Sequence, residues 1–559
     1  MSDKNTHSKS EYSRRHRREF LSILGATGTA GLAGCIGGSP DDSDEGSGDD
    51  SVFNFALATE IDTLDAHASG RVPEQIVNNA IHDHLFRLDH DLEPVPHLVE
   101  EYEVSDDASQ YVFQIQEGVT FHDGTKLDGE SVAWNLERFA GAGGRLSFMI
   151  DMEAIDVLEA TGDYEVTIEY NDPNPRLLFN LTEFPLGMIS RDAVEDAGDE
   201  YGVETAVGTG PFELDEWADA EYIRVTRNDD YDWGPEFLAN SGPANLETIE
   251  FNVIPEQATL NSELLDGYID GTSYVELTDA GRVEDNEGTT LHENPYPYAA
   301  WHPFNMDREP TDDIRVRRAL IHGLNSENTI TAALDGRGTN VNALAPHTSV
   351  GGIPEDRAAE IGYEFDQDRA RELLDEAGWT NSSEGETREK DGEPLEIEML
   401  AFDLPQWAPQ GEVAQGMWGQ IGVDVELFVV EGGTFYDRLE NQEYHTVTAG
   451  TGAEYAADFM NRVLHSRNFP EDGGFNNSRY ADDEVDDLID RGNNHPDVEE
   501  RHAALREAGE IAMEEAVWTP VMTTNRTYAH KSSVSGVDDF TEHQWWPTQY
   551  WSHHLNVDL

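Results

Sequence analysis

The chain has 559 residues, enough for two or three domains, and its 114 acidic residues against 35 basic ones give a formal net charge of -79. This excess of acid leaves no basic surface for phosphate, so the composition argues against a nucleic-acid-binding protein. The acids are spread along the whole chain, so their mutual repulsion would oppose folding in dilute buffer. Molar salt screens this repulsion. The composition therefore predicts a surface adapted to brine, as in halophilic archaea.

The first 35 residues are predicted to be an export signal. Residues 17–21 (RREFL) resemble a twin-arginine signal, and the apolar run 20–32 is shorter than the roughly 20 residues that span a bilayer. Residues 32–35 (LAGC) resemble a lipobox, which implies cleavage before Cys35 and lipidation of its thiol. The alternative is a stray cysteine in an uncleaved signal or anchor. Because Cys35 is the only cysteine, the chain can form neither an internal disulfide nor a cysteine metal site.

Residues 36–51 (IGGSPDDSDEGSGDDS) consist mainly of Gly, Ser and Asp. This composition cannot build a core, so it predicts a flexible tether. Such a tether would let a folded domain stand off the membrane.

From residue 53 the pattern becomes that of a folded protein. Residues 53–58 are predicted to form the first strand, and residues 76–88 a helix. Within this helix His82 and His84 are two positions apart and do not face one another, so we predict no zinc site there.

The stretch from Leu92 to Phe139 gives the order strand, turn, strand, turn, helix. Residues 111–116 alternate apolar and polar side chains as a half-buried strand does, and residues 119–121 are predicted to form a second short strand. Asp128 is placed to cap the helix. The apolar stripe of that helix consists of Val132, Trp134, Leu136 and Phe139.

This stretch resembles the signature block of the large periplasmic-type solute-binding proteins of ABC importers, of the family-5 type. Further segments at 208–214 (GTGPFEL), 313–325 and 363–379 resemble other hallmarks of that family, and the resemblance covers roughly residues 52–559. Members of the family bind oligopeptides, dipeptides, nickel complexes or oligosaccharides. The resemblance therefore implies a binding protein with no cofactor and no reaction of its own, which works with an ABC permease and its ATPase.

The resemblance also implies contact residues for a ligand. Gly70, Arg71 and Val72 match a loop whose backbone pairs with an extended peptide, although a plain surface turn is the alternative. Tyr274 matches a ligand-contacting position or packs across neighbouring strands. Trp301 lines the cleft or belongs to the core.

The run 451–460 (TGAEYAADFM) stands where peptide-binding relatives carry an acid for the ligand's α-ammonium group. Glu454 matches that acid, Tyr455 matches an aromatic residue beside it, and Gly452 belongs to the same run. Ala456 and Ala457 depart from the Pro-Asp pattern of the family. The alternative for Glu454 is that it is one more solvated acid.

These observations predict an α/β (α+β) fold of the type II periplasmic-binding-protein kind, with two lobes, a cleft and an extra domain. The predicted boundaries are 52–86, 202–298 and 525–559 for a discontinuous first lobe, 87–201 for an inserted domain and 299–524 for the other lobe. The predicted function is capture of a peptide-like solute for an ABC importer at the outer face of the membrane. An oligosaccharide or metal-complex receptor, an exported halophilic hydrolase and, less favoured because repeats are lacking, a surface-layer protein remain as alternatives.

Overall fold

The computed structural model describes residues 52–89, 93–142, 149–150, 152–218, 220–238, 240–277, 279–381, 383, 385–404, 406–537 and 556–557. They belong to one compact unit, Asp50–Leu559. The predicted signal 1–35 with its lipidation site Cys35, and the tether 36–51, lie outside the described residues.

The strands are distributed along the whole described chain. They are β1 Val52–Leu57, β2 Phe86–Leu88, β3 Pro94–Pro96, β4 Val99–Val104, β5 Gln110–Ile115, β6 Ile155–Gly162, β7 Glu165–Tyr170, β8 Phe212–Ala218, β9 Tyr222–Arg227, β10 Thr248–Val253, β11 Gly271–Thr272, β12 Thr289–Pro295, β13 Tyr298–Pro303, β14 Gly338–Asn340, β15 Glu389–Lys390, β16 Glu393–Pro394, β17 Glu396–Phe402, β18 Asp424–Val430, β19 Thr446–Val447, β20 Ala449–Gly452, β21 Trp518–Lys531, β22 Val534–Ser535 and β23 Asn556–Val557.

The helices are more frequent in the second half of the chain. They are α1 Val72–Ile81, α2 Gly129–Gly141, α3 Leu177–Asn180, α4 Arg191–Ala197, α5 Gln257–Asp266, α6 Ala280–Glu284, α7 Ile314–Gly323, α8 Ser326–Leu334, α9 Glu355–Ile361, α10 Gln367–Glu376, α11 Ala408–Gln420, α12 Gly432–Glu440, α13 Ala456–Val463, α14 Asp483–Asn494 and α15 Val498–Glu514. Among the residues that the structure describes, no helix is both long and apolar enough to cross a bilayer.

The largest sheet joins distant parts of the chain in the order β20-β13-β21-β11-β1-β10-β9-β8. Strand β1 is parallel to β10 and β11, and the other neighbours in this path are antiparallel. The 14-residue strand β21 joins two parts of the sheet, because its first half pairs with β13 and its second half with β12 and β11. Side chains in the middle of β21 therefore lie where these two parts meet.

Two smaller sheets flank this one. The antiparallel sheet β4-β5-β7-β6 carries α2, and its core includes Phe86, Tyr111, Phe113 and Leu136. The parallel sheet β18-β17-β19 lies in the segment 396–447, where Trp418 of α11 is fully buried. A separate core surrounds β1 and β8–β10. The predicted domain boundaries stay a prediction.

Residues 92–139 fold largely as predicted. The strand predicted at 111–116 is β5, and the Asp128 side chain caps α2 by accepting from the Ser131 amide at 2.9 Å. Trp134 is only partly buried and lies beneath the guanidinium groups of Arg138 and Arg191, so it does not belong to the buried stripe of α2.

The second short strand predicted at 119–121 is wrong. The chain makes only a single bridge there, between Thr120 and Lys126. Gly118 and Gly124 both adopt positive φ angles close to this segment, so two turns leave too little extended chain for a strand.

The helix predicted at 76–88 is also wrong in its bounds, since α1 runs from Val72 to Ile81. The turn 208–210 packs against its end: Gly210 donates its amide to Ile81 O at 2.8 Å, and a Cβ on Gly208 would lie 2.1 Å from that oxygen. Beyond α1 the buried Asp83 accepts from Arg87 at 3.1 Å and from Trp233 at 3.2 Å. His82 and His84 on either side of Asp83 are buried as well, and their rings contact the backbone carbonyls of Asn78 and Phe184.

Candidate ligand-binding site

Two adjoining cavities lie beside the middle of β21. The larger one has a volume of about 640 Å³, and its walls include Leu57, Ile76, Tyr274, Tyr298, Leu334 and Gln410. The smaller one has a volume of about 280 Å³, and its walls include Gly70, Arg176, Glu183, Glu454, Asp458 and Arg462. Tyr296 and Arg526 line both cavities. The sizes are those of sites for small ligands.

Glu454 stands at the end of the loop between β20 and α13. Its carboxylate Oε1 accepts a hydrogen bond from the Tyr296 hydroxyl at 2.9 Å, and its backbone carbonyl accepts from the Val350 amide at 2.9 Å. A Cβ on Gly452 would lie 2.7 Å from Glu454 Oε2, so the absence of a side chain at 452 lets the carboxylate fold back over β20. The carboxylate is thus held in the cavity wall and has an oxygen left to accept from a ligand.

Tyr455 connects α13 with the segment that carries α3. Its ring lies 5.4 Å from the Phe179 ring and 4.9 Å from the Arg176 guanidinium. Arg176 also forms a two-pronged ion pair with Asp458 on the first turn of α13. These contacts join residues 176–183 to residues 455–458 on two sides of the smaller cavity.

Glu183 faces two further acids in this cavity. Burial, followed by the charges of Glu454 and Asp458, raises the pKa of Glu183 to about 8. At neutral pH this carboxyl is therefore mostly protonated and can donate a hydrogen bond. A cation placed in the cavity would favour its ionised form.

Two arginines of the smaller cavity have no carboxylate partner among the described residues. The Arg526 guanidinium stacks on Tyr296 at 4.2 Å from the ring centroid. Arg462 donates from Nη1 to Thr451 Oγ1 at 3.0 Å. The cavity thus presents acids and free guanidinium groups together.

The three predicted loop residues, Gly70, Arg71 and Val72, have different surroundings in the structure. Gly70 lines the smaller cavity. Arg71 donates its amide to Glu74 at 3.3 Å and accepts from the Gln75 amide at 3.1 Å, so its backbone is engaged within the start of α1. Val72 is the first residue of that helix. Of these three residues Gly70 lines the smaller cavity, and ligand contacts of all three stay predictions.

The predicted aromatic residues have different surroundings. Tyr274 is 47% exposed and forms part of the wall of the larger cavity. Trp301 is 3% exposed and packs edge-on against Phe459 and Trp518. It also lines a further aromatic cavity of about 230 Å³, so its part in ligand binding stays a prediction.

Sequence reasoning missed most of the polar residues of the smaller cavity. Among them are Arg176, Glu183, Tyr296, Arg462 and Arg526. A signal existed for Tyr296, which belongs to the aromatic-rich run 294–306, and for the arginines, which are scarce in so acidic a chain. Neither signal says that these residues meet, because they come from four separate segments. Among the described residues no cluster of three or more His, Cys, Asp or Glu side chains is arranged to hold a metal ion.

Comparisons with known proteins agree with this geometry. The glutathione-binding protein GsiB of Shigella dysenteriae serotype 1 is 26% identical over 494 residues, covering 86% of this chain and 90% of that protein. The structure of HbpA2 from Haemophilus parasuis superposes with a TM-score of 0.77 at 21% identity and covers 91% of this chain and 100% of that one. The periplasmic binding protein DppA from Helicobacter pylori, described as ABC transporter-associated and in complex with peptide STSA, gives a TM-score of 0.66 at 23% identity, covering 91% and 98%.

The structural similarities confirm the predicted two-lobed, mixed α/β periplasmic-binding-protein fold. The sequence profile of the bacterial extracellular solute-binding proteins, family 5 Middle, matches residues 93–470, more than half of the chain. Proteins of this family are binding components of transporters rather than enzymes. The chain therefore belongs to the bacterial extracellular solute-binding proteins of family 5, and it is the solute-binding component of an ABC importer.

Proposed function

We propose that this protein captures a short peptide with a free N-terminus in the two adjoining cavities and delivers it to the permease. The single observation that carries the proposal is Glu454, an oriented carboxylate in the wall of the smaller cavity. The names of two similar proteins support it, since one is a glutathione-binding protein and another holds a peptide.

Glu454 suits an ammonium group for electrostatic reasons. Tyr296 already supplies a donor to one carboxylate oxygen, so the carboxylate keeps its orientation without a ligand. A charge-assisted hydrogen bond to an ammonium group contributes about 1.5–3 kcal/mol. The protonated Glu183 next to it adds a second acid that ionises when a cation enters.

The larger cavity suits the rest of a peptide. Its walls combine apolar side chains such as Leu57 and Leu334 with the amides of Gln257, Gln406 and Gln410. Amide side chains donate and accept hydrogen bonds without selecting a charge. We therefore assign the side chains of the peptide to this cavity and its N-terminus to the smaller one.

A thermal-shift screen of residues 36–559 in several molar KCl tests the ligand class. The panel contains short peptides, the same peptides with acetylated N-termini, glutathione, oligosaccharides and nickel complexes. A ligand at 100 times its Kd stabilises the protein by about 2.7 kcal/mol, enough for a clear shift. We expect shifts with free N-termini and none with acetylated ones. A shift with sugars or nickel complexes alone would show that the ligand belongs to that class and is not a peptide.

Glu454→Gln tests the ammonium site directly. The substitution keeps the size and the hydrogen bond from Tyr296 but removes the charge, so we expect peptide affinity to fall about 10- to 100-fold. Glu372→Gln is the matched control, because Glu372 lies on the exposed face of α10 and pairs with Arg369. Equal peptide affinities of the two variants would show that the ammonium group of the ligand binds elsewhere.

We also propose that the protein is exported by the twin-arginine route and held at the outer face of the membrane by a lipid on Cys35. The residues at 17–21 and 32–35 support this proposal. Cys35→Ala should release the protein from the membrane fraction into the medium, and mass spectrometry should find no lipid on it. Retention of that variant at the membrane would indicate an uncleaved anchor instead.

We propose that the chain catalyses no reaction. A peptide recovered unchanged after prolonged incubation with the protein is the expected result. Cleaved peptide would revive the interpretation as an exported hydrolase.

A further inference from the structure

The two unpaired arginines of the smaller cavity are unusual in this chain. Most of the other described arginines form an ion pair with Asp or Glu, as expected where acids outnumber bases by 114 to 35. Arg462 and Arg526 line a cavity that also contains acids, yet within the described part of the chain neither forms an ion pair. Their guanidinium groups are therefore available to a bound ligand.

The position of Arg526 fits recognition of a carboxylate. Its guanidinium carbon lies 4.2 Å from the centroid of the Tyr296 ring, within the range of a cation–π contact, and such a contact leaves the N–H groups of a guanidinium able to bind a ligand. Two parallel N–H groups match the two oxygens of a carboxylate. The hydroxyl group of the same tyrosine donates to Glu454, so one side chain contacts both an acid and an arginine of the cavity.

The charges of the cavity do not balance. Arg176 and Asp458 neutralise one another, and Glu183 is mostly protonated at neutral pH. Glu454 then faces two positive charges, those of Arg462 and Arg526. As long as Glu183 stays protonated, a bound peptide with one ammonium and one carboxylate group leaves this excess of one positive charge. Ionisation of Glu183 beside the ammonium group would remove the excess, but Glu183 forms no ion pair with Arg462 or Arg526 among the described residues, so only a second carboxylate on the peptide gives these guanidinium groups a partner. Buried charges are tolerated when they are paired.

We infer that Arg462 and Arg526 form an anion subsite, which makes the protein selective for peptides that carry one more carboxylate than ammonium group. This inference rests on the proposed function, because Glu454 takes the ammonium group. The subsite lies in a cavity, where salt screens charges much less than at the surface. The selectivity therefore persists in the molar salt that the surface requires.

Matched tripeptides test the inference. Ala-Glu-Ala and Ala-Gln-Ala differ by one charge at nearly constant size, and isomers with Glu or Gln at the first or third position cover other placements of the carboxylate. Calorimetric titration of residues 36–559 in several molar KCl should give about 10- to 100-fold tighter binding of at least one Glu peptide than of its Gln partner. Glutathione, which also has net charge -1, is the additional probe.

Arg526→Gln and Arg462→Gln identify the residues responsible. Each should lower the affinity for the Glu peptides more than the affinity for the Gln peptides, so that the preference for Glu over Gln falls. Arg369→Gln is the control, because it changes the net charge equally on the exposed face of α10 and should leave the preference intact. Circular dichroism checks that each variant is folded, and the wild-type comparison stands even if one variant is not.

The outcomes separate this inference from the proposed function. Equal binding of Glu and Gln peptides at every position would refute the anion subsite and leave peptide capture standing. A preference that survives both arginine variants would also refute the assignment. If peptides of no charge type bind, the proposed function fails and the inference fails with it.

Discussion

Arg176 is predicted to hold the two sides of the smaller cavity together, so that Arg176→Gln weakens ligand binding without removing a ligand contact from Glu454. The guanidinium forms a two-pronged ion pair with Asp458 and stacks on Tyr455. The side chains of Arg176 and Asp458 are 17% and 33% exposed, so solvent screens the pair less than a surface pair. Hinge closure of two lobes around a ligand depends on contacts of this kind.

The magnitude follows from the type of contact. A partly buried charge-assisted pair contributes about 1.5–3 kcal/mol, and the stack on Tyr455 adds about 0.5–1 kcal/mol. Gln retains part of the contact with Asp458, so we expect a net loss of about 2 kcal/mol. Because the ligand is bound in the closed form, this loss appears in the apparent affinity as a roughly 30-fold rise in Kd.

Calorimetric titration with the best peptide of the screen measures the effect. Arg191→Gln is the control, since Arg191 is exposed and pairs with Glu195 on the same helix, and its Kd should change less than about twofold. In a double-mutant cycle, Arg176→Gln and Asp458→Asn should be non-additive. An unchanged Kd for Arg176→Gln, or strict additivity of the pair, would refute the idea that this contact closes the cavity.

Three further predictions concern protons and salt. Peptide binding near pH 7 should release protons, because an ammonium group favours the ionised form of Glu183, whose pKa is about 8 in the free protein. Calorimetric titrations in buffers of different ionisation enthalpy measure the number of protons released. Glu183→Gln should abolish the release. Burial lowers the pKa of His67 to about 3 and of His82 to about 4, so the folded state binds fewer protons than the unfolded one between these values and 6.5. The free energy of unfolding therefore has its full value above pH 6.5 and falls on acidification, by about 2 kcal/mol per histidine at pH 5. Urea midpoints measured in molar KCl at several pH values test this, and His82→Gln should flatten their pH profile. Finally, the net charge of -79 predicts that the fold requires molar salt; a full native circular dichroism spectrum with a high thermal midpoint in dilute buffer would contradict this.

Local structure was predictable where a single side chain decides it. Asp128 caps α2 as its position in the sequence indicates, because a cap needs only residues two or three positions away. The end of α1 was not predictable. It is set by the turn 208–210, more than a hundred residues later, whose glycines pack on Ile81.

The candidate site likewise contains one residue that the sequence indicates and others that only the structure reveals. Glu454 was identifiable because its run matches a family pattern, and the structure places it in a cavity. The arginines could not be found from the sequence, since an arginine that pairs with a neighbouring acid and one that faces a ligand look alike there. Only tertiary structure shows that Arg369 is paired on a helix surface while Arg526 stacks on Tyr296 without an ion pair among the described residues.

The surface and the cavity have opposite electrostatic requirements, and molar salt reconciles them. A net charge of -79 would repel an anionic peptide at long range in dilute buffer. At 1 M salt the screening length is about 3 Å, so the repulsion from the surface vanishes within a single contact distance. Pairing of a carboxylate with Arg526 takes place within such a distance and in a cavity, and it is therefore retained. If the fold requires molar salt as predicted, the same salt would also let an anionic ligand approach the two unpaired guanidinium groups.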